Sequence, residues 1–125
     1  MAARVISRAA PPVRAADGAR AEALAAEFLA SHNLAVVERN WRRRHGELDL
    51  IARDGDTLVF VEVRLRRRND YGGAASSITS AKQTRLRKAA EMYLARFAHP
   101  PPCRFDAILL DGLHAARIEW LRDIL

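Results

Sequence analysis

The stretch from Gly46 to Arg66 constrains the fold more than any other part of this sequence. It reads GELDLIARDGDTLVFVEVRLR, two runs of alternating side chains separated by Asp54-Gly55-Asp56. Successive side chains of a β-strand point to opposite faces, and Asp-Gly between two such runs is a strong sign of a hairpin. The sequence therefore predicts two antiparallel strands joined by a tight turn.

Alternation assigns the side chains of this hairpin to two faces. In the first strand, one predicted face carries Leu48, Leu50 and Ala52, and the other carries Glu47, Asp49 and Ile51. In the second strand, one face carries Leu58, Phe60, Glu62 and Arg64, and the other carries Val59, Val61, Val63 and Leu65. Three carboxylates can then share one side of the sheet with Arg64 beside them, namely Glu47, Asp49 and Glu62.

Clustered carboxylates have a chemical consequence. Two like charges about 4 Å apart repel by roughly 4 kcal/mol at an effective dielectric constant near 20. Such a cluster must raise its pKa values or hold a cation, and Mg²⁺ or Mn²⁺ is the natural partner for carboxylate oxygens. The simpler alternative is that Asp49 and Glu62 lie on a solvated face of the sheet.

Composition narrows the class of protein and its partners. The chain has 125 residues, half of them apolar, and a net charge of +6, which predicts one globular domain with an anionic partner, above all nucleic acid. The single cysteine, Cys103, excludes an internal disulfide and is typical of a reducing compartment. No apolar run approaches the roughly 20 residues of a membrane span. We expect a cytoplasmic protein with no membrane partner.

The remaining elements follow from periodicity and from turn residues. Residues 1–17 are predicted to form a flexible basic tail, and residues 18–125 the folded domain. Helical spacing runs from Gly18 to about His32, with Asp17 as a plausible N-cap and Asn33 as a left-handed residue at the C-terminal end. A first strand is expected from Leu34 to Asn40.

Two arginine clusters flank the central hairpin. Before it, a loop from Trp41 to His45 contains Arg42, Arg43 and Arg44 beside an aromatic ring, which suits phosphate contacts and base stacking. A solvated loop is the plainer interpretation of the same run. After the hairpin come Arg64, Arg66, Arg67 and Arg68, and then a mobile loop over residues 69–77.

The C-terminal half predicts a second helix and further strands. Ser80 is expected to cap a helix from about Ala81 to Ala98, on which Lys82 and Arg85 lie off the apolar stripe. Three prolines, at positions 100–102, stop that helix. A strand over residues 104–110, a short strand near residues 116–120 and a final helical turn are expected to complete the chain.

This order of elements, together with the acidic pair, resembles the core of the PD-(D/E)xK nucleases. More closely, the chain is similar to the YraN-like family of predicted endonucleases, which are related to archaeal Holliday junction resolvases. The motifs that carry the resemblance are Gly18-x-x-x-Glu22-x-x-Ala25, RNWR at residues 39–42, GELDLI at residues 46–51, VFVEV at residues 59–63, Arg66, Gly72, Lys82 and RFD at residues 104–106. The resemblance implies an α/β restriction-endonuclease-like core of order αβββαβ, with a central mixed sheet flanked by helices.

The same resemblance implies roles for individual residues. Asp49 matches the first motif acid and Glu62 the second, while Glu22 matches an acid on the first helix that resolvase-like nucleases place near the metal. Glu47 lies beside Asp49 in the motif. The implied metal ligands are therefore Asp49, Glu62, Glu22 and Glu47, holding one or two Mg²⁺ (or Mn²⁺) ions. The implied activity is hydrolysis of phosphodiester bonds in DNA, with branched or flapped structures among the candidate substrates.

The sequence departs from the nuclease motif at Arg64, where lysine is expected. Arginine stays protonated, so it can neutralise charge on a phosphate but cannot act as a general base. Lys82 could compensate from the second helix, or it could simply contact a phosphate. The catalytic candidates are Asp49, Glu62, Arg64 and Glu22. The candidates for nucleic-acid binding are Arg42, Arg43, Arg44, Arg66, Arg67, Arg68, Lys82 and Arg85.

Three classes of function remain open at this point. The first is a metal-dependent endonuclease. The second is a nucleic-acid-binding module whose nuclease site has decayed at Arg64. The third is a basic scaffold protein without a nucleic-acid role, and a homodimer is left open in each case.

Overall fold

The computed structural model describes residues 13–66, 78–113 and 117–125. They form two helices and five strands: α1 (Val13–Ser31), β1 (Ala35–Arg43), β2 (Gly46–Asp54), β3 (Thr57–Arg66), α2 (Ser80–Leu94), β4 (Cys103–Asp111) and β5 (Ile118–Leu121). Within these ranges, neither helix combines the length and the apolar character that a membrane span requires.

The strands form one mixed sheet in sequential order from β1 to β5. The pairs β1–β2, β2–β3 and β4–β5 are antiparallel, and β3–β4 is parallel. Parallel neighbours need a crossover connection, and α2 lies within it. The prediction of an α/β protein with a central mixed sheet flanked by helices is confirmed.

Each face of the sheet is covered by one helix, and each helix buries its own apolar cluster. The first cluster joins α1 to one face and contains Ala21, Ala25, Ala26, Leu29, Leu34, Leu50, Ala52, Val59, Val61, Ile108 and Leu110. The second joins α2 to the opposite face and contains Trp41, Leu48, Ile51, Leu58, Phe60, Leu86, Ala89, Ala90 and Tyr93. Because both faces are buried, β3 reads as an almost continuous apolar run.

The central hairpin is confirmed. Strands β2 and β3 pair from Leu50↔Val61 to Asp54↔Thr57, which leaves Gly55 and Asp56 as a two-residue loop. Gly55 has a φ of 62°, a left-handed conformation that glycine adopts without steric cost. The predicted faces of β3 are also correct, because Leu58 and Phe60 pack under α2 while Val59 and Val61 pack under α1.

The predicted faces of β2 are wrong at one position. Leu48 packs under α2 with Ile51, whereas Leu50 and Ala52 pack under α1. The loss of strict alternation coincides with an interruption of the β1–β2 ladder, in which Asn40 and Asp49 are not paired between Arg39↔Leu50 and Trp41↔Leu48. Asn40 has a φ of 50°, outside the extended region, so β1 is irregular at the position that faces Asp49.

The start of the first helix also differs from the prediction. Helix α1 begins at Val13, so Asp17 lies inside the helix and is not its N-cap. The C-terminal end is as predicted: Asn33 has a φ of 70°, and the N–H of Leu34 donates to the carbonyl oxygen of Leu29 at 3.0 Å. Residues 1–12 lie outside the described ranges, so a tail over residues 1–17 and a domain over 18–125 stay predictions.

Three other boundaries of helices and strands differ from the prediction. Strand β1 continues to Arg43 because Trp41 pairs with Leu48 and Arg43 with Gly46, so the predicted loop over residues 41–45 shrinks to a two-residue turn. The N-cap of α2 is Thr79 and not Ser80, and this helix ends at Leu94, well before the prolines. Residues 122–125 form no helical turn. The loop predicted over residues 69–77 lies outside the described ranges.

Candidate functional site

The candidate site lies where β2 and β3 stop pairing. Their ladder ends at Leu50↔Val61, and one position further along Oδ2 of Asp49 accepts a hydrogen bond from the backbone N–H of Val63 at 2.9 Å. A side-chain oxygen has thus taken the place of a backbone carbonyl. The separation of the strands leaves room beside Asp49 and its neighbour on β3, Glu62.

This room is part of a cleft of about 580 Å³ that is lined by α1, α2, the end of the β1–β2 hairpin and the two diverging strands. All four acids that the sequence proposed as metal ligands line it, contributed by α1, β2 and β3: Glu22, Glu47, Asp49 and Glu62. The basic side chains that line the same cleft are Arg42, Arg43, Arg44, Arg64, Lys82 and Arg85. The fold therefore brings charged residues that are up to 63 positions apart, Glu22 and Arg85, into one acidic cleft with basic borders.

Asp49 is the most strongly perturbed acid of the cleft. Burial raises the pKa of its carboxyl group to about 7, and the negative charge of Glu62, then those of Glu22 and Glu47, act in the same direction. The hydrogen bond from the Val63 N–H opposes the shift, because it stabilises the ionised form. At neutral pH, Asp49 is thus poised between a neutral and a charged state, and a cation placed beside it would favour the charged state.

Glu22 reaches the cleft from α1. Partial burial raises the pKa of its carboxyl group, and hydrogen bonds with the side chains of Asn40 and Asp49 oppose that rise. Asn40 was not among the candidates from the sequence, although asparagine inside an apparent strand is unusual and it tolerates left-handed backbone. Its conformation interrupts the β1–β2 ladder opposite Asp49, and its side chain forms a hydrogen bond with Glu22.

Glu62 is buried and paired with two cations. Its side chain is 8% exposed, Nζ of Lys82 lies 2.7 Å from Oε2, and Nη1 of Arg64 lies 3.9 Å from the same oxygen. An unpaired carboxylate at this depth would be costly, so the ammonium of Lys82 serves as its main counter-ion. Lys82, on the first turn of α2, lies closer to Glu62 than Arg64 does.

The three arginines that precede β2 border the cleft. The prediction that the neighbouring aromatic residue, Trp41, stacks on a base is wrong. Trp41 is only 3% exposed; one side of its ring meets Tyr93 edge-on at 5.5 Å, and the guanidinium of Arg43 lies 4.6 Å from its centroid. No base can stack on a ring so enclosed. Arg42, Arg43 and Arg44 are exposed at the end of the β1–β2 hairpin, and all three stay candidates for phosphate contacts.

The arginines of the second cluster have different environments. Arg66 is held by Asp111 at 3.0 Å and by Glu119 at 3.3 Å, and it does not line the cleft. Its guanidinium ties the end of β3 to β4 and β5. Arg67 and Arg68 lie outside the described residues, so their predicted contacts with nucleic acid stay predictions.

The donor set of the cleft fits a hard divalent cation that keeps part of its hydration shell. In the described parts of the chain, no three acidic, imidazole or thiol groups converge into a ready-made metal cage. Mg²⁺ commonly binds through one or two carboxylates and takes its other ligands from water and substrate phosphate. Asp49 and Glu62 supply two oxygen donors of that kind on adjacent strands.

Asp106 is another buried acid, and its partners make it structural. It is fully buried and accepts hydrogen bonds from the guanidinium of Arg104, from Nε1 of Trp120 at 3.0 Å and from the N–H of Asp123 at 2.9 Å. Both oxygens are therefore used within the protein. This network ties β5 and the residues after it to β4, on the α1 side of the sheet.

The fold and the site define a mixed α/β protein with an acidic cleft bordered by arginine and lysine. The chain belongs to the family described as Uncharacterised protein family UPF0102, which matches residues 21–110. This range includes the four acids of the cleft as well as Lys82.

Related proteins of the same family occur in several bacteria. A UPF0102 protein of Nitrosospira multiformis is 53% identical over 106 residues, which cover 85% of this chain and 89% of that protein. One of Nitrosomonas europaea is 52% identical over the same length, covering 85% and 90%. One of Ralstonia nicotianae is 51% identical over 120 residues, covering 90% and 88%.

Proposed function

We propose that this protein is a metal-dependent endonuclease that hydrolyses phosphodiester bonds of DNA. The observation that carries the proposal is the position of Asp49 and Glu62 at the divergence of two paired strands, inside a cleft with basic borders. The order from α1 to β4 is αβββαβ, which fits the restriction-endonuclease-like core that the sequence resembles.

In this proposal, Asp49 and Glu62 hold the metal ion, and Glu22 and Glu47 adjust the charge around it. A bound Mg²⁺ or Mn²⁺ would polarise the phosphate and lower the pKa of a water molecule. The raised pKa of Asp49 suits this arrangement because a site that favours protonation in isolation gains most from a cation. Hydrogen bonding with Asn40 keeps the carboxylate of Glu22 turned toward the same space.

The basic side chains supply positive charge close to the phosphate, on which negative charge would develop during cleavage. Arg64 and Lys82 both lie beside Glu62, and either can donate hydrogen bonds to the non-bridging oxygens of a phosphate. Arg42, Arg44 and Arg85, further out, would contact phosphates on either side of the scissile bond. In this assignment, Arg64 contributes charge but does not exchange a proton with water.

The lining of the cleft favours contacts with the backbone of DNA. Among the described residues that line it, there is no Phe, Tyr or Trp on which an unpaired base could stack. Contacts between these arginines and phosphates would carry no information on base identity. We therefore propose cleavage with little sequence preference, and branched or flapped DNA as candidate substrates alongside linear duplex.

The test is a cleavage assay on linear, flapped and four-way-junction DNA with Mg²⁺ or Mn²⁺. Asp49→Asn, purified in the same way, is the matched blank for contaminating nuclease. The proposal predicts metal-dependent cleavage by the parent protein and none by the variant. Equal cleavage by both, or cleavage that persists in EDTA, would contradict it.

One observation supports a second candidate, a nucleic-acid-binding module without catalysis. Arginine occupies position 64, where the nuclease motif expects lysine. A module of this kind would bind DNA through the basic border of the cleft in a salt-dependent manner. Binding without cleavage of any of the three substrates, with either metal, would favour this candidate.

A further inference from the structure

The ammonium group of Lys82 lies inside the cleft, next to a carboxylate that could also bind a metal ion. Its Nζ lies 2.7 Å from Oε2 of Glu62, and the two side chains are only 25% and 8% exposed. The first turn of α2 holds the lysine in position, because Oγ1 of Thr79 accepts its backbone N–H at 3.2 Å. The positive charge of the ammonium group would therefore repel a metal ion that binds to Glu62.

On the basis of the proposed function, we propose that Lys82 is an internal counter-ion that couples metal binding to nucleic-acid binding. Without DNA, Lys82 neutralises Glu62 and competes with the metal ion for that carboxylate. A phosphate group that enters the cleft takes Lys82 away from Glu62, and the metal ion then binds without an opposing charge. Metal and DNA should accordingly bind more tightly together than either does alone.

The chemistry of lysine suits this exchange. Its ammonium is a compact charge with three donors on a flexible four-carbon stem, so it can move from a carboxylate to a phosphate while its backbone stays fixed. A positive charge close to a divalent cation lowers the affinity of the site for that cation. Phosphate placed between the two cations removes the repulsion.

Coupling of this kind is reciprocal. If DNA increases the affinity for metal by removing Lys82 from Glu62, metal increases the affinity for DNA by the same factor. Arg64 cannot replace Lys82 in this role, because its guanidinium is further from Glu62, at 3.9 Å, and is bulkier and planar. The coupling should therefore depend on Lys82.

The first experiment measures the affinity for Mn²⁺ without DNA, from the electron paramagnetic resonance signal of the free ion. Lys82→Met should bind Mn²⁺ about tenfold more tightly than the parent protein. Lys88→Met is the matched control, since it loses the same charge from the exposed side of the same helix, outside the cleft, and it should change the affinity less than about twofold. Lys82→Gln, which can still donate to Glu62, provides a second uncharged variant if Lys82→Met does not fold.

The second experiment measures DNA affinity by fluorescence anisotropy at constant ionic strength, in Mn²⁺ and in EDTA. The duplex carries phosphorothioate linkages to slow cleavage. Mn²⁺ should tighten DNA binding severalfold more in the parent protein and in Lys88→Met than in the Lys82 variants.

The outcomes distinguish failure of this inference from failure of the proposed function. Unchanged or weaker Mn²⁺ binding in both Lys82 variants would show a fixed structural ion pair and overturn the inference, while leaving the proposed nuclease intact. The same holds if Mn²⁺ tightens DNA binding equally in all proteins. A parent protein that binds no Mn²⁺, with or without DNA, would overturn the proposed function and this inference together.

Discussion

The carboxylate of Asp49 and the backbone N–H of Val63 are joined by a hydrogen bond of 2.9 Å that replaces a rung of the β2–β3 ladder. The acid is thereby fixed to the neighbouring strand, one residue from Glu62. An asparagine at position 49 could accept the same hydrogen bond through its amide oxygen, so Asp49→Asn removes the charge with little change in shape. This substitution is the basis of two of the predictions below.

The first prediction concerns pH and stability of the metal-free protein. The pKa of Asp49 is raised from 3.8 to about 7, so the folded state binds this proton more tightly than the unfolded state does. Below pH 3.8 the carboxyl group is protonated in both states; between pH 4 and 7 the free energy of unfolding falls as pH rises, and above pH 7 the loss is complete. Asp49→Asn should therefore be more stable than the parent at pH 8, by roughly 1–4 kcal/mol, and nearly equal at pH 4.

Urea denaturation in EDTA at the two pH values measures this difference. A stability difference that is the same at pH 4 and at pH 8 would show that the charge of Asp49 is not the source of the effect.

The second prediction concerns Arg64→Lys. Lysine at position 64 is a smaller group that can exchange a proton with water, and it would leave more room beside Glu62. Cleavage with Mg²⁺ should rise, whereas Arg64→Ala should lower any activity of the parent protein. DNA affinity should change little in Arg64→Lys, because the net charge is retained. Slower cleavage by Arg64→Lys would show that arginine is adapted to catalysis at this position.

The third prediction concerns the contact between the start of β2 and α2. A Cβ atom at Gly46 would lie 2.8 Å from Cβ of Ala89 and 3.1 Å from its Cα, so Gly46→Ala must push the helix away from the strand. Overpacking of this kind costs about 1–3 kcal/mol. Because α2 carries Lys82, cleavage should also fall.

Gly18→Ala is the matched control for this substitution. Gly18 lies within α1, and a Cβ atom there would meet no heavy atom within 4 Å. Alanine is favoured over glycine inside a helix by roughly 0.5–1 kcal/mol, so this variant should be as stable as the parent protein or slightly more stable. Equal stability losses in the two alanine variants would contradict the assigned contact.

The fourth prediction concerns the arginines at the end of the β1–β2 hairpin. Each phosphate contact contributes about 0.9 to the slope of log affinity against log salt for duplex DNA. Replacement of Arg42, Arg43 and Arg44 by alanine should therefore reduce that slope by up to about 2.7. Arg87→Ala, on an exposed part of α2 outside the cleft, should leave the slope nearly unchanged. An unchanged slope in the triple variant would show that these arginines contact solvent and not phosphates.

Local patterns were sufficient to predict much of the fold. The alternation from Leu58 to Leu65 predicted the faces of β3, and Gly55 predicted the turn, because both depend on neighbouring residues alone. Asn33 predicted the end of α1 for the same reason. The face of Leu48 could not be predicted, since it lies beside an interruption of the β1–β2 ladder at Asn40 and Asp49, and an irregularity between two strands leaves no local pattern in the sequence.

The candidate site was predictable in composition but not in its connections. Glu47, Asp49 and Glu62 could be selected from the sequence because carboxylates are rare in strands that are otherwise apolar, whereas Glu22, on α1, was implied by the family resemblance alone. The contact of Lys82 with Glu62 could not be derived in this way, since it depends on how closely α2 packs on the sheet. Trp41 was misjudged because an aromatic residue beside arginines looks the same in sequence whether it is exposed or, as here, enclosed under Tyr93 and Arg43.

The central claim is that Asp49 and Glu62 together hold a divalent metal ion, and the thermal stability of the protein in Mn²⁺ tests it most directly. A ligand that binds only the folded state, at 100 times its Kd, stabilises it by about 2.7 kcal/mol. Addition of Mn²⁺ should therefore raise the Tm of the parent protein and of Asp56→Asn, in which the same change is made at an exposed turn. The Tm of Asp49→Asn should not rise. No shift in the parent protein, or an equal shift in Asp49→Asn, would contradict the claim.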